Sequence, residues 1–151
     1  MNRRSPPILV SACLAGQRCR YDGQAKSCPK VEALVKAGKA VPFCPEVSGG
    51  LSTPRSPAEI QGGTGVDVLD GKGRVINANG QDVTAAYIRG AKLGVELAQR
   101  LGVRQAILKD KSPACGTKFI YDGSFQRKLR SGQGVIAAAL AAVGIQVEPE
   151  K

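Results

Sequence analysis

The chain contains no histidine and no tryptophan, and none of its five cysteines forms a C-x-x-C pair. Most catalytic zinc sites and most general acid-base pairs use imidazole, so a base here must be Glu, Asp, Lys or Tyr. The missing C-x-x-C spacing removes the zinc-ribbon and thioredoxin motifs. No apolar run approaches the roughly 20 residues that span a bilayer, and Met1 to Pro7 lacks the apolar stretch of a secretory signal. The expected location is therefore cytoplasmic. In that reducing compartment an odd number of cysteines argues for metal binding, reactive thiols or plain burial ahead of a disulfide framework. Three Phe and three Tyr offer few stacking platforms, which weighs against a dedicated single-strand nucleic-acid binder.

What is present fits one domain. The 151 residues, 42% hydrophobic and 23% charged, are enough to bury a single core. Residues 1–7 read as a short basic arm and residues 8–151 as one α/β domain. Lys and Arg number 22 against 12 Asp and Glu, a formal charge of +10, which draws anionic partners such as nucleotides or RNA. The excess concentrates between Arg100 and Arg130, and the competing explanation is a solvated face that only keeps the protein soluble.

Ile8 to Ala12 is a continuous apolar run of the kind buried on both faces of a parallel sheet. Ser27 as cap and Pro29 in the first turn open a helix that Gly38 should close. Ala40 to Phe43 reads as a strand, and Pro42 marks it as an edge strand or a strand end. Val47 to Gly65, rich in glycine and proline, reads as a long irregular loop. Val66 to Leu69 and Arg74 to Asn77 flank a glycine-rich turn and suggest a β-hairpin. A long amphipathic helix runs from Asp82 as cap until Gly102, followed by a strand over 103–108, a helix over 134–143 and a last strand over 144–147. Alternating strands and helices predict an α/β fold, mainly a parallel sheet flanked by helices, with the β-hairpin as an appendage. In such sheets ligands collect beyond the carboxyl ends of the strands.

Cys13, Cys44 and Cys115 each follow a predicted strand, which gathers three thiols at one sheet rim. Soft thiolates suit zinc, copper(I) or iron-sulfur clusters, and three of them leave a coordination position for chemistry. Cys28 opens a helix and reads as a small buried hydrophobe, while Cys19, near Arg18 and Arg20, reads as an exposed or reactive thiol. Glu46 stands two residues from Cys44 and Ser112 three before Cys115, so both can face whatever binds there. Ser11-Ala12-Cys13 with Tyr21-Asp22-Gly23 is echoed by Ser112-Pro113-Ala114-Cys115 with Tyr121-Asp122-Gly123. Chance or repeated turn chemistry accounts for this echo better than duplication does.

The phrases Val10-Ser-Ala-Cys-Leu-Ala-Gly, Cys19-Arg-Tyr-Asp-Gly, Phe43-Cys-Pro-Glu-Val-Ser-Gly-Gly-Leu, Thr53-Pro-Arg-Ser-Pro-Ala-Glu-Ile and Lys111-Ser-Pro-Ala-Cys-Gly together resemble the thiouracil desulfurase family, from about Ile8 to Val147. The resemblance implies a 4Fe-4S cluster held by Cys13, Cys44 and Cys115 with one open iron. It also places Glu46 and Ser112 at the family's catalytic positions. The implied reaction converts C=S to C=O in a thiolated pyrimidine, free, as a nucleoside or in tRNA, and releases sulfide. The competing classes are a non-catalytic metal- or RNA-binding module and a metal-free cysteine-thiolate enzyme.

Overall fold

A computed structural model describes residues 5–150; the basic-arm reading of 1–7 therefore lies mostly outside the described residues. In chain order the elements are β1 (Ile8–Ser11), a 3-10 turn (Ala12–Ala15), α1 (Pro29–Lys36), β2 (Ala40–Phe43), α2 (Pro45–Ser48), β3 (Ala58–Gln61) and α3 (Gly65–Leu69). Then follow β4 (Arg74–Asn77), α4 (Thr84–Leu101), β5 (Gln105–Leu108), β6 (Phe119–Tyr121), β7 (Leu129–Ser131), α5 (Val135–Ala142) and β8 (Gln146–Pro149).

The central sheet has the order β2-β1-β5-β8, and every pair in it is parallel. The apolar strands β1 and β5 take the interior places. Successive side chains on a strand point to opposite faces, so these two strands build two separate cores. Leu9, Ala106 and Leu108 pack with Tyr87, Ala91 and Ala98 of α4 and with Val135, Ile136 and Leu140 of α5. Val10 and Ile107 face the other way, toward Val31 of α1 together with Leu14, Cys13 and Cys28. Pro42, which has no N–H to donate, lies in β2 at the sheet edge, as its chemistry requires.

Several local readings shift. Val66 to Leu69 is not a strand: it lies within α3, because Thr64 and Asp67 form a capping box in which the Thr64 N–H donates to Asp67 Oδ2 at 2.8 Å. Val66-Asp67-Val68-Leu69 is too short for its pattern to separate helix from strand, and the cap decides. The hairpin partner of β4 is instead β3, paired antiparallel and set within the stretch that reads as irregular. A second antiparallel pair, β6 with β7, has no clear signal in the sequence. Cys28, not Ser27, is the N-cap of α1, and Val83, not Asp82, is that of α4, although the Asp82 carboxylate accepts the Thr84 N–H at 2.9 Å. The last strand runs Gln146–Pro149, two residues later than the pattern suggests. Among the described residues no helix is long and apolar enough to cross a membrane.

Helix α4 carries glycine where it meets α2. A Cβ at Gly90 would collide with the carbonyl oxygen of Pro45, and one at Gly49 with that of Ala86. The two backbones therefore touch, and Glu46 is brought against α4. Alanine at position 90 gains helix propensity but cannot displace a backbone oxygen, so Gly90→Ala should cost about 1–3 kcal/mol. Urea denaturation of the two proteins measures this; equal midpoints would remove the close approach from the account.

Candidate active site

Beyond the carboxyl ends of β1, β2 and β5 lies a cavity of about 420 Å³, lined by Ser11, Cys13, Cys19, Phe43, Cys44, Glu46, Lys109, Ser112 and Cys115 among others. Each thiol arrives by a different local device. Cys13 sits on the 3-10 turn that follows β1, and Gly16, at φ 93, ends that turn. Cys44 is the N-cap residue of α2, directly after β2. Cys115 lies in the loop that follows β5. Its position depends on Asp110, whose Oδ1 accepts the backbone N–H groups of Lys111, Thr117, Lys118 and Phe119 at 2.9–3.4 Å. Ser112 Oγ accepts the N–H groups of Ala114 and Cys115, each at 3.1 Å, and so shapes the same turn.

The thiols sense one another. Burial pushes Cys13 up to about 11, with the charge of Cys44 adding to it. Burial likewise drives Cys115 well above the ordinary thiol value; the Ser11 hydroxyl acts in the opposite sense, and the charges of Cys13, Glu46 and Cys44 add to the rise. Cys44 is the acidic one, brought down to about 7 chiefly by the hydrogen bond from the Cys19 thiol. Cys19 is raised by the same bond. When protonated, Cys44 Sγ can also donate to the Cys19 carbonyl, 3.9 Å away. Thiols that raise one another in this way ionise together only against compensating positive charge, which a bound metal centre supplies.

The donor set fits an iron-sulfur cluster: all the soft ligands are cysteine, with no histidine to compete. Among the described residues no group of three His, Cys, Asp or Glu side chains converges tightly enough for a single ion. A polynuclear cluster does not require that convergence, since each cysteine binds its own iron.

Glu46 is gripped from two sides. The Tyr87 hydroxyl, from α4, donates to Oε2, and Arg55 Nη2 lies 3.4 Å from Oε1. Burial first, then the Glu46 charge, keeps the Tyr87 proton in place well above the ordinary phenol range. Arg55 is itself anchored: Nη2 donates to the Cys19 carbonyl at 3.0 Å, and Nη1 to the Ser52 carbonyl at 3.0 Å and to Thr53 Oγ1 at 3.2 Å.

The structure thus brings Cys13, Cys44, Cys115, Glu46 and Ser112 to one cavity, and it adds Cys19, which the sequence reading set aside. Cys28 packs away from the cavity in the α1 core. Arg18 and Lys118 are not on the wall, whereas Arg20, Lys109, Lys111 and Arg127 are. Arg55, Tyr87 and Asp110 escaped the sequence reading as functional residues. Arg55 stands inside one of the quoted motifs, Tyr87 falls within the long amphipathic helix, and no local pattern marks Asp110. The sequence echo resolves into repeated turn chemistry. Asp22 and Asp122 each accept the N–H two residues on, at 3.0 and 2.9 Å, before a glycine of positive φ, and each turn sets a tyrosine on the cavity wall.

The 2-thiouracil desulfurase family model matches residues 8–151. The chain belongs to that family. Membership confirms the resemblance carried by the five motifs and places the protein among enzymes. A relative from Bacillus subtilis (strain 168), the uncharacterized protein YbbK, is 48% identical over 143 residues, 95% of each chain. A solved structure of the [4Fe-4S]-dependent thiouracil desulfidase TudS is 45% identical, covers 97% of this chain and 91% of its own, and superposes with a TM-score of 0.86. Its fold agrees with the four-stranded parallel sheet and hairpin of this family member.

Asp110 titrates with a signature of its own. Partial burial raises its pKa, but the four backbone N–H groups outweigh that, and the carboxyl ends below its ordinary 3.8. A depressed folded-state pKa stabilises above the unfolded value, and the effect fades as pH falls through the folded one. Asp110→Asn should therefore cost about 1–3 kcal/mol near pH 7, and the gap to wild type should shrink below about pH 4. A gap that stays constant to pH 2 would contradict this role for the Asp110 carboxylate.

Proposed function

We propose that this chain converts the C=S group of a thiolated pyrimidine to C=O with release of sulfide, using a 4Fe-4S cluster held by Cys13, Cys44 and Cys115 with one iron open. The observation that carries this reading is the meeting, in one cavity, of three thiols from three strand ends with a carboxylate fixed at both oxygens. Family membership and the [4Fe-4S]-dependent thiouracil desulfidase neighbour support it. The reaction consumes water and yields hydrogen sulfide, with no net change in the oxidation state of the reacting atoms.

When bound, the cluster supplies a soft Lewis acid suited to the thiocarbonyl sulfur. The protein does the rest. Glu46 takes the proton from the attacking water, and Arg55 and Tyr87 fix where its carboxylate points. The Ser112 oxygen already accepts two N–H groups, so its hydroxyl hydrogen is what it has to offer, donated toward the departing sulfur or a ring atom. Phe43, Tyr21, Tyr121 and Phe125 supply flat apolar wall for a pyrimidine. Arg20, Lys109, Lys111 and Arg127 give the rim the positive charge that a nucleotide or a thiolated tRNA base would meet. The cytoplasmic location read from the sequence belongs to the same proposal, since a reducing compartment protects an exposed cluster.

Replacing Cys13, Cys44 or Cys115 by Ser should remove brown absorbance and turnover together. Glu46→Gln should keep the cluster and lose about 10²–10⁴ in rate. A colourless yet fully active Cys115→Ser protein would refute the assignment. Anaerobic purification with iron and acid-labile sulfide analysis separates this reading from its competitors. Zinc would indicate a structural site, and thiouracil turnover by iron-free protein would indicate a cysteine-thiolate enzyme.

If the rim receives phosphate, KM for a thiolated nucleotide or tRNA should rise with salt while that for free thiouracil stays flat. Identical salt profiles for charged and uncharged substrates, with no tRNA bound at low ionic strength, would remove the phosphate role.

A further inference from the structure

The proposed reaction uses three of the four thiols that line the cavity and leaves Cys19 unassigned. Of the four, Cys19 and Cys44 are the pair whose side chains are joined by a hydrogen bond, and the Cys19 carbonyl also lies within reach of Cys44 Sγ. Cys115 has its side-chain hydrogen bond with Ser11 instead. The same two differ in access: Cys13 and Cys115 are buried, whereas Cys19 and Cys44 are half-buried and face the cavity. Cys19 and Cys44 are thus the more accessible two of the four.

The backbone favours the pair as well. Cys19 lies in the segment between the 3-10 turn and α1, flanked by Gly16 and Gly23, both at positive φ, in a stretch with no helix or strand. Its carbonyl is held by Arg55, which also pairs with Glu46, two residues from Cys44. One guanidinium thus ties both cysteine segments together. A disulfide requires an S–S distance near 2.05 Å, and the irregular segment that carries Cys19 is the one that would move to meet it.

We propose that Cys19 and Cys44 are an oxidative modification site: when no cluster is bound, a low-molecular-weight disulfide converts them to an intramolecular disulfide that a thiol reverses. The Cys44 thiolate attacks one sulfur of the small disulfide; that S–S bond breaks, one thiolate leaves, and a mixed disulfide forms on Cys44. The Cys19 thiolate then attacks Cys44 Sγ, and the second small thiol departs. Two cysteine thiols and one small disulfide become one protein disulfide and two small thiols, so two electrons pass to the small molecule. The product shields Cys44 from irreversible oxidation. On the reading that Cys44 is a cluster ligand, disulfide and cluster exclude each other.

The test uses the full chain, stripped of iron with a chelator under anaerobic conditions and exposed to glutathione disulfide. Free thiols should fall from five to three, and mass spectrometry of a chymotryptic digest should show Cys19 linked to Cys44. Cys19→Ser should instead hold a stable glutathione adduct on Cys44. Cluster-loaded protein should show neither product. Oxidised wild type should regain brown absorbance in iron and sulfide reconstitution only after dithiothreitol treatment, whereas unoxidised protein needs no reductant. Five free thiols after oxidation, or a crosslink from Cys44 to Cys13 or Cys115, would overturn the proposal. A chain that forms the Cys19–Cys44 bond but takes up no iron in any state would sink the cluster reading and leave the modification site standing.

Discussion

Parallel pairing of β1 with β2 and β5 is the constraint on which the site depends. Parallel neighbours end at the same edge of a sheet, and in this chain each of the three strands is followed by a cysteine-bearing segment: a 3-10 turn, a helix cap or a hydrogen-bonded loop. Antiparallel pairing anywhere among them would send one thiol to the opposite rim. The strands can pair in parallel because their apolar faces are covered on both sides, by α1 on one and by α4 and α5 on the other.

The carboxylate is positioned by a second constraint, the glycine-mediated contact between α2 and α4. Contact at backbone distance lets the Tyr87 phenol reach Glu46, while Arg55, from the segment before β3, closes the other side. The Arg55 side chain is only 9% exposed, and its Nε is buried with no hydrogen-bond partner. An incompletely satisfied buried charge contributes little net stability. What it does here is align the Cys19 backbone, the Glu46 carboxylate and, through both, the neighbourhood of Cys44.

How much of this the sequence reveals follows from range. Ile8 to Ser11 and Ala106 to Leu108 announce buried strands because their apolar runs are continuous, and Pro42 announces an edge. The cysteine positions follow from those strands, and the five motifs carry the family. What stays hidden is whatever depends on a distant partner. Ala58–Gln61 becomes a strand only because β4 lies alongside it, Val66–Leu69 becomes helical through the pairing of Thr64 with Asp67, and Phe119–Tyr121 needs Leu129–Ser131. Tyr87 reads as core since its hydroxyl partner is 41 residues away in sequence. Asp110 reads as a loop acid because its four N–H partners converge only once the chain turns back on itself.

The sheet separates two apolar compartments, and the proposed ligands belong to both: Cys13 packs in the α1 compartment, Cys115 in the one under α4 and α5. An inorganic core bound to both residues would act as a rivet through the rim of the molecule. Holding the cofactor and holding the two halves of the interior in register would then be a single mechanical task.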